Sequence, residues 1–358
     1  MKAGIIAKPI AAVILAAALI ALVLLALGAS PVGVMGALWQ GAFGTWLAFT
    51  ETLVKAMPLV FCGLAVAIAF QGALWNIGAD GQLIAGATLA GALGPALTHW
   101  PHLLAIPAML AAGVAGGATW GGVAGWLRAR RDVNEIISTI MLNFVAAQIL
   151  SAAVHGPLME PSRAYPKSAP IAPGAELHLY FAPSRLNLAM ALAVALAAGC
   201  YLFLFRTRAG FELRALGRNR RASAFFGIPI ARLTTRTLAL SGALAGLGGA
   251  VQVSAITHRL YETLSPGWGY EAIAVALVAR LNPLAIVATA IFFGALDNGA
   301  QAMQRAEGVS PVLVQVIQGM VIMILLAFDT SAWSGMRTVF AGAPTVPAAN
   351  TPAAASDA

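Results

Sequence analysis

The sequence predicts an all-α, polytopic integral membrane protein with about ten transmembrane helices in two inverted-repeat halves. Hydrophobic residues make up 60% of the chain and charged residues 9%, with a mean hydropathy of +0.84. Apolar runs of about 20 residues, the length that crosses a bilayer core, recur throughout. Between them lies one long polar stretch, Arg206 to Arg236, which holds eight of the 21 Lys and Arg residues against one acid, Glu212. The positive-inside rule places that stretch in the cytoplasm and orients the rest. The net charge of +8 would hint at nucleic acid in a soluble protein. Here the excess sits in short loops, so it reads as orientation and no nucleic-acid partner is expected.

Taken in order, Lys2 and Lys8 precede an apolar run over 9–29, longer than a signal-peptide core and read as an uncleaved first helix. Residues 30–52 are mixed and Gly-rich, with Trp39 and Trp46 suited to an interfacial belt. Further spans are expected over about 53–70, 83–97, 103–127, 134–154 and 186–205, then 238–256, 284–302 and 312–328. The Pro-rich loop 155–185 falls outside. The apolar part of GYEAIAVALVARLNP, 272–279, is too short to cross alone, so 269–280 is either a full span with polar ends or a broken helix. Both termini are expected in the cytoplasm, with one transmembrane domain over 1–328 and a disordered Ala/Pro-rich tail over 329–358. Fifteen of the 21 basic residues then lie inside, and Lys55, Arg163, Lys167, Arg185, Arg259 and Arg305 outside.

Three constellations stand out. In Asn76-Ile-Gly-Ala-Asp-Gly-Gln82, two glycines permit irregular backbone and Asp80 is an ionisable group near membrane depth, costly unless paired or wet. The bland alternative is a cytoplasmic turn. On the fifth span, Glu135, Thr139 and Asn143 share one helical face, with Ser138 beside them. That stripe either lines a pathway or bonds a neighbouring helix. Gly267-Trp-Gly-Tyr-Glu271 precedes the short helix. Setting Gly78–Ala87 against Gly267–Ala276 pairs the two leading glycines, three further identities and Gln82 with Glu271. Interrupted segments at matching points of two halves, here about 53–154 and 238–328, are the mark of inverted-repeat transporters. Within the basic stretch, Asn219 is a good N-cap and Gly227 a good stop, so 220–226 forms a short helix carrying Phe225 and Phe226. That apolar pair needs lipid or another protein to cover it.

NIGADGQ, VNEIISTIMLNF at 133–144, RALGRNRRASAFFGI at 214–228 and GYEAIAVALVARLNPLAIV at 269–287 resemble the permease subunits of bacterial ABC importers. The likeness is to the branched-chain amino acid and simple-sugar group, most closely its nucleoside-type branch, with Asp80 and Gln71 departing from residues common there. The resemblance implies a multi-pass inner-membrane subunit that pairs with a second permease, as homo- or heterodimer, with ATP-binding subunits and with an external substrate-binding protein. It makes 220–226 a coupling helix, with Asn219, Arg220, Arg221, Ala222, Ser223, Phe225, Phe226 and Gly227 docking the ATPase.

The chain contains no Gly-Lys pair and hence no Walker A phosphate loop, so no ATPase activity, cofactor or metal is expected of it. An ion-coupled secondary transporter would use Asp80, Glu135, Glu271 and Asp297. The five His show no HExxH spacing. For the pathway or substrate, the candidates are Trp75, Asn76, Asp80, Gln82, Glu135, Asn143, Trp268, Tyr270 and Glu271. Aromatic faces and amides among them suit a nucleoside, with simple sugars second.

Overall fold

The computed structural model describes residues 30–178, 183–308, 310, 312–316 and 318–320, together with 18, 21, 22, 24 and 25. Most of the expected first span, the end of the last, the 329–358 tail and both chain ends lie outside these residues. Eleven helices are described: α1 Pro31–Phe43, α2 Trp46–Gln71, α3 Ala79–Leu93, α4 His102–Arg131, α5 Glu135–His155, α6 Leu188–Arg206, α7 Arg208–Arg218, α8 Arg220–Phe225, α9 Ile230–Gln252, α10 Trp268–Val278 and α11 Pro283–Glu307. Among the described residues there is no strand, only isolated bridges at Met159–Ser168 and Lys167–Tyr261.

Side-chain caps set many of the helix starts. Thr45, Asn134, Asn187, Thr207, Asn219 and Asn282 each accept a hydrogen bond from a backbone N–H two or three residues on. Each cap is worth about 1 kcal/mol. Among the described residues, six helices are long and apolar enough to cross a membrane: α2, α4, α5, α6, α9 extended by its π turn Val253–Thr257, and α11. The residues of α2 and α9 are mostly buried, whereas α4, α5 and α6 show most of their surface. The two buried helices are therefore central pillars. The first packs along α10 and α11, the second along α3 and α4, a reciprocal arrangement.

The tightest seam joins α4 to α9. A Cβ on Gly117 would lie 2.0 Å from the Gly242 carbonyl oxygen, and one on Gly242 would lie 2.1 Å from that of Gly117. Glycines four apart on both helices, Gly113, Gly117 and Gly121 against Gly242 and Gly246, let the backbones touch.

Three segments take definite form. Residues 30–52, read only as mixed and Gly-rich, hold α1, capped by Ser30, and the start of α2 at Trp46, seven residues before the expected span. The stretch 206–236 is not a single loop. It holds α7 and α8, and α9 has started by Ile230, because Leu233, Thr234, Thr237 and Leu238 place one continuous packed face through the polar turn that hydropathy discards. Finally, of the two readings left open for 269–280, the broken helix is the one that fits. Helix α10 has 11 residues, about 16 Å at 1.5 Å each, roughly half of a 30 Å hydrocarbon core.

Candidate functional site

The depth of the interrupted segments follows from their contacts. At the arginine-rich end of the bundle, Gln71 Nε2 at the end of α2 donates to the Leu281 carbonyl just beyond α10, at 3.3 Å. The same end carries α7, whose Leu213 packs on Gly72. From there α10 runs back to its N-terminus about half a bilayer away, and residues 72–78 climb alongside to start α3 at the same depth. Two half-helices of opposite direction thus meet head to head.

Asp80 joins them. From the first turn of α3, its Oδ1 accepts the Gly269 N–H at 2.9 Å and the Ser265 hydroxyl at 2.7 Å, capping α10. A Cβ on Gly269 would fall 2.0 Å from the Asp80 nitrogen, so only glycine allows the contact. Behind the crossing, Asn76 and Gln82 form a reciprocal amide pair at 2.9 and 3.1 Å. Asn76 Nδ2 also donates to Ser241 Oγ at 2.7 Å, and Ser241 donates to the Ala65 carbonyl at 2.6 Å. The irregular backbone of NIGADGQ is tied in this way to both pillars.

The polar stripe of α5 closes the other side. Asn143 Oδ1 accepts the Gly81 N–H at 2.8 Å, while its Nδ2 donates to the Ile77 carbonyl and to Tyr270 Oη, both at 2.9 Å. Thr139 Oγ1 lies 3.3 Å from the Ile77 nitrogen and donates to the Glu135 carbonyl at 2.6 Å. The Glu135 carboxylate is 3.0 Å from Arg128 Nε. Asn76, Asp80, Gln82, Glu135 and Asn143 are all buried, and the hydrogen bonds and the Glu135–Arg128 ion pair occupy their polar groups inside this chain. Trp75 and Tyr270 are exposed, and Trp268 and Glu271 are half-buried.

Glu271 faces a polar cavity of about 530 Å³ with Trp268, Asp297, Gln301, Gln304, Arg305 and Gln318 among its lining. Gln318 Nε2 donates to Glu271 at 3.1 Å, and Asp297 pairs with Lys55 of α2 at 2.7 Å. Lys55 is thus a partly buried, ion-paired cation on α2.

At the arginine-rich end, Asn219 Oδ1 accepts the Ala222 N–H at 3.0 Å and Gly227 takes a φ of 75°, ending α8 at Phe225, one residue before the expected limit. Phe225 and Phe226 are 87% and 79% exposed, their rings edge to face at 5.7 Å. Ser223 is buried beneath them.

The family model described as "Branched-chain amino acid transport system / permease component" matches residues 48–326. The chain belongs to this permease family. It is 34% identical over 333 residues to the glucose ABC transporter permease protein TsgB13 of Haloferax volcanii, covering 90% of this chain and 87% of that one. It is 33% identical over 332 residues to the guanosine ABC transporter permease protein NupP of Bacillus subtilis, covering 91% and 93%. The nucleoside ABC transporter permease protein NupB of Lactococcus lactis is 29% identical over 328 residues, covering 88% and 89%.

The permease is thus a multi-pass membrane protein and a transport subunit of ABC type. Four of its site-forming residues escaped sequence reasoning: Ser241, Ser265, Lys55 and Gln318. Ser265 carried a signal, since Ser-Pro-Gly directly precedes a half-helix. Lys55 also carried one, as a cation inside an apolar run. Nothing local marks Ser241, which acts only because α9 crosses residue 65.

Proposed function

We propose that this permease is the membrane-spanning subunit of an ATP-driven importer in the cytoplasmic membrane that takes up nucleosides. Its ATP is bound by a partner subunit, and its solute is handed over by an external binding protein. Both chain ends then face the cytoplasm. The halves 53–154 and 238–328 are related by inversion about the Asp80–Gly269 crossing, residues 1–328 form one permease domain and 329–358 a tail. Alignment supports the crossing as an axis point, because Asp80 and Gly269 occupy equivalent places when Gly78 is set on Gly267, and equivalent residues touch at a two-fold axis.

The observation that carries the reading is α8. A capped basic helix presents two exposed phenylalanines at the arginine-rich end and, among the described residues, has no apolar partner for them beyond each other. That surface suits a groove in an ATPase, so Asn219 to Gly227 is the coupling element. Glu271, Asp297 and the glutamines around the polar cavity lie where lipid would be a poor neighbour, which favours a second permease or an aqueous path beside α10 and α11. Trp268 supplies a ring face to that path, and Trp75 and Tyr270 offer exposed rings at the interrupted segments beside it. Asn76, Asp80, Gln82, Glu135 and Asn143 hold the geometry around it.

The guanosine and nucleoside relatives favour a nucleoside, and the glucose relative keeps a simple sugar as the second reading. A competition assay of uptake with nucleosides, hexoses, pentoses and branched-chain amino acids separates them. Nucleosides alone should compete, and indifference to all of them with competition by glucose would move the assignment to sugars.

A further inference from the structure

We propose that the arginine-rich end holds a binding site for one anionic phospholipid, between α4 and the start of α9. A cavity of about 740 Å³ opens there, walled by Trp126 and Arg130 of α4 and by Pro229, Ile230, Arg232 and Arg236. Thr235 Oγ1 closes its back, lying 3.2 Å from the Gly125 carbonyl and bridging the two helices.

Some arginines at this end are engaged elsewhere. Arg206, Arg218, Arg220 and Arg221 are exposed and, among the described residues, as free as the three at this hollow; what sets those three apart is the cavity they share. Arg128 is paired with Asp132 and Glu135, Arg208 with Glu212, and Arg214 donates to the Leu204 carbonyl and lies over the Phe205 ring. Arg130, Arg232 and Arg236 are exposed and, among the described residues, make no hydrogen bond or ion pair. Orientation in the membrane requires positive charge anywhere in this region, and does not require three unpaired guanidinium groups around one cavity. Arg232 lies in the first turn of α9, where the helix dipole disfavours a cation, so an anion beside it relieves a cost. Glu212 lines a smaller neighbouring cleft, but Arg208 holds it at 3.0 Å.

The occupant must satisfy two chemistries. Guanidinium groups take a phosphate by charge-assisted hydrogen bonds, while Pro229, Ile230 and Trp126 offer apolar surface to a chain. Trp126 is half exposed on the outer side of α4, where an indole sits well at headgroup level. A free phosphate leaves that apolar wall wet. An anionic lipid of the inner leaflet fills both parts, and basic pockets between helices on this side bind such headgroups.

Native mass spectrometry of the full-length chain in mild detergent tests this, with phosphatidylglycerol, phosphatidylcholine and inorganic phosphate as probes. Phosphatidylglycerol should bind at one site at least about tenfold more tightly than phosphatidylcholine. Replacing Arg130, Arg232 and Arg236 together by Gln should remove that preference, replacement by Lys should keep most of it, and Arg218→Gln with Arg220→Gln should leave it unchanged. Equal binding of the two lipids by the wild-type chain would overturn the proposal whether or not any variant folds. Displacement by millimolar phosphate, or loss of the lipid when the ATPase partner binds, would also overturn it and give the arginines to a soluble anion or to a protein interface.

Discussion

Asp80 in the first turn of α3 caps α10 by accepting the Gly269 N–H at 2.9 Å, across 189 residues of sequence. Two helix N-termini facing each other at mid-depth bring like dipole ends together, and each end interacts with a nearby charge by about 0.3–1 kcal/mol. The carboxylate offsets both and satisfies a backbone donor that no water reaches. Asp80 is thereby a pin between the two interrupted segments, which weakens its case as an ion-coupling group.

The closeness of that contact gives the first prediction. Gly269→Ala puts a Cβ 2.0 Å from the Asp80 nitrogen and 2.4 Å from its Cα, a clash with backbone rather than with a pliable side chain. The variant should lose about 1–3 kcal/mol. Thermal unfolding of the purified protein, followed by tryptophan fluorescence, measures it, and an unchanged melting temperature would rule out the head-to-head packing.

Asp80→Ala should cost about 1–3 kcal/mol by orphaning the Gly269 N–H and the Ser265 hydroxyl. Asp80→Asn keeps an acceptor oxygen in place and should lose less. The same melting experiment ranks them, and an Asn variant as unstable as Ala would show that charge, not capping, is what matters.

The interrupted segments were legible in the sequence, because Gly78, Gly81, Gly267 and Gly269 sit beside an acid or an aromatic in otherwise unbroken apolar runs. Their meeting was not, since the alignment that pairs Asp80 with Gly269 says nothing of distance. The 113-117-121 and 242-246 glycines were visible as four-residue repeats and mark the α4–α9 seam, yet they are lost in a chain with 37 glycines. The start of α9 was missed because hydropathy ends a helix where its polar turn begins, although Pro229 and Thr234, Thr237 and Leu238 already spelled a helix with one packed face. Asn219 and Gly227 gave α8 almost to the residue because caps are local chemistry.

Asn143 joins three partners from two other segments: the Gly81 N–H, the Ile77 carbonyl and Tyr270 Oη. Asn143→Leu is close in size but leaves all three unpaired, so a loss of about 1–3 kcal/mol is expected. Hydrogen exchange should rise in 77–82 and spare α6; a uniform rise over the whole chain would indicate global unfolding instead.

Glu160 lies in the loop after α5, where the Ser162 hydroxyl, Lys167 and Arg259 hold its carboxyl below the ordinary range, the Ser162 hydrogen bond contributing most. A depressed folded value stabilises the loop above the unfolded value of about 4.3, and that contribution fades as pH falls through the lower folded value. The Glu160 clasp ties 159–168 to 259–261, so proteolysis of this loop should accelerate below about pH 4 in the wild type. Glu160→Gln should be cut faster at neutral pH and respond less to acid. A wild-type loop cut equally fast from neutral to acid pH would remove the clasp.

The central claim is coupling through α8 to an ATPase on another chain, and uptake of a radiolabelled nucleoside by proteoliposomes holding the complete transporter tests it most directly. With ion gradients collapsed, uptake should require ATP, and Phe225→Asp with Phe226→Asp should abolish it while membrane insertion stays normal. Uptake that persists without ATP, or runs at the wild-type rate in the double variant, would contradict the account.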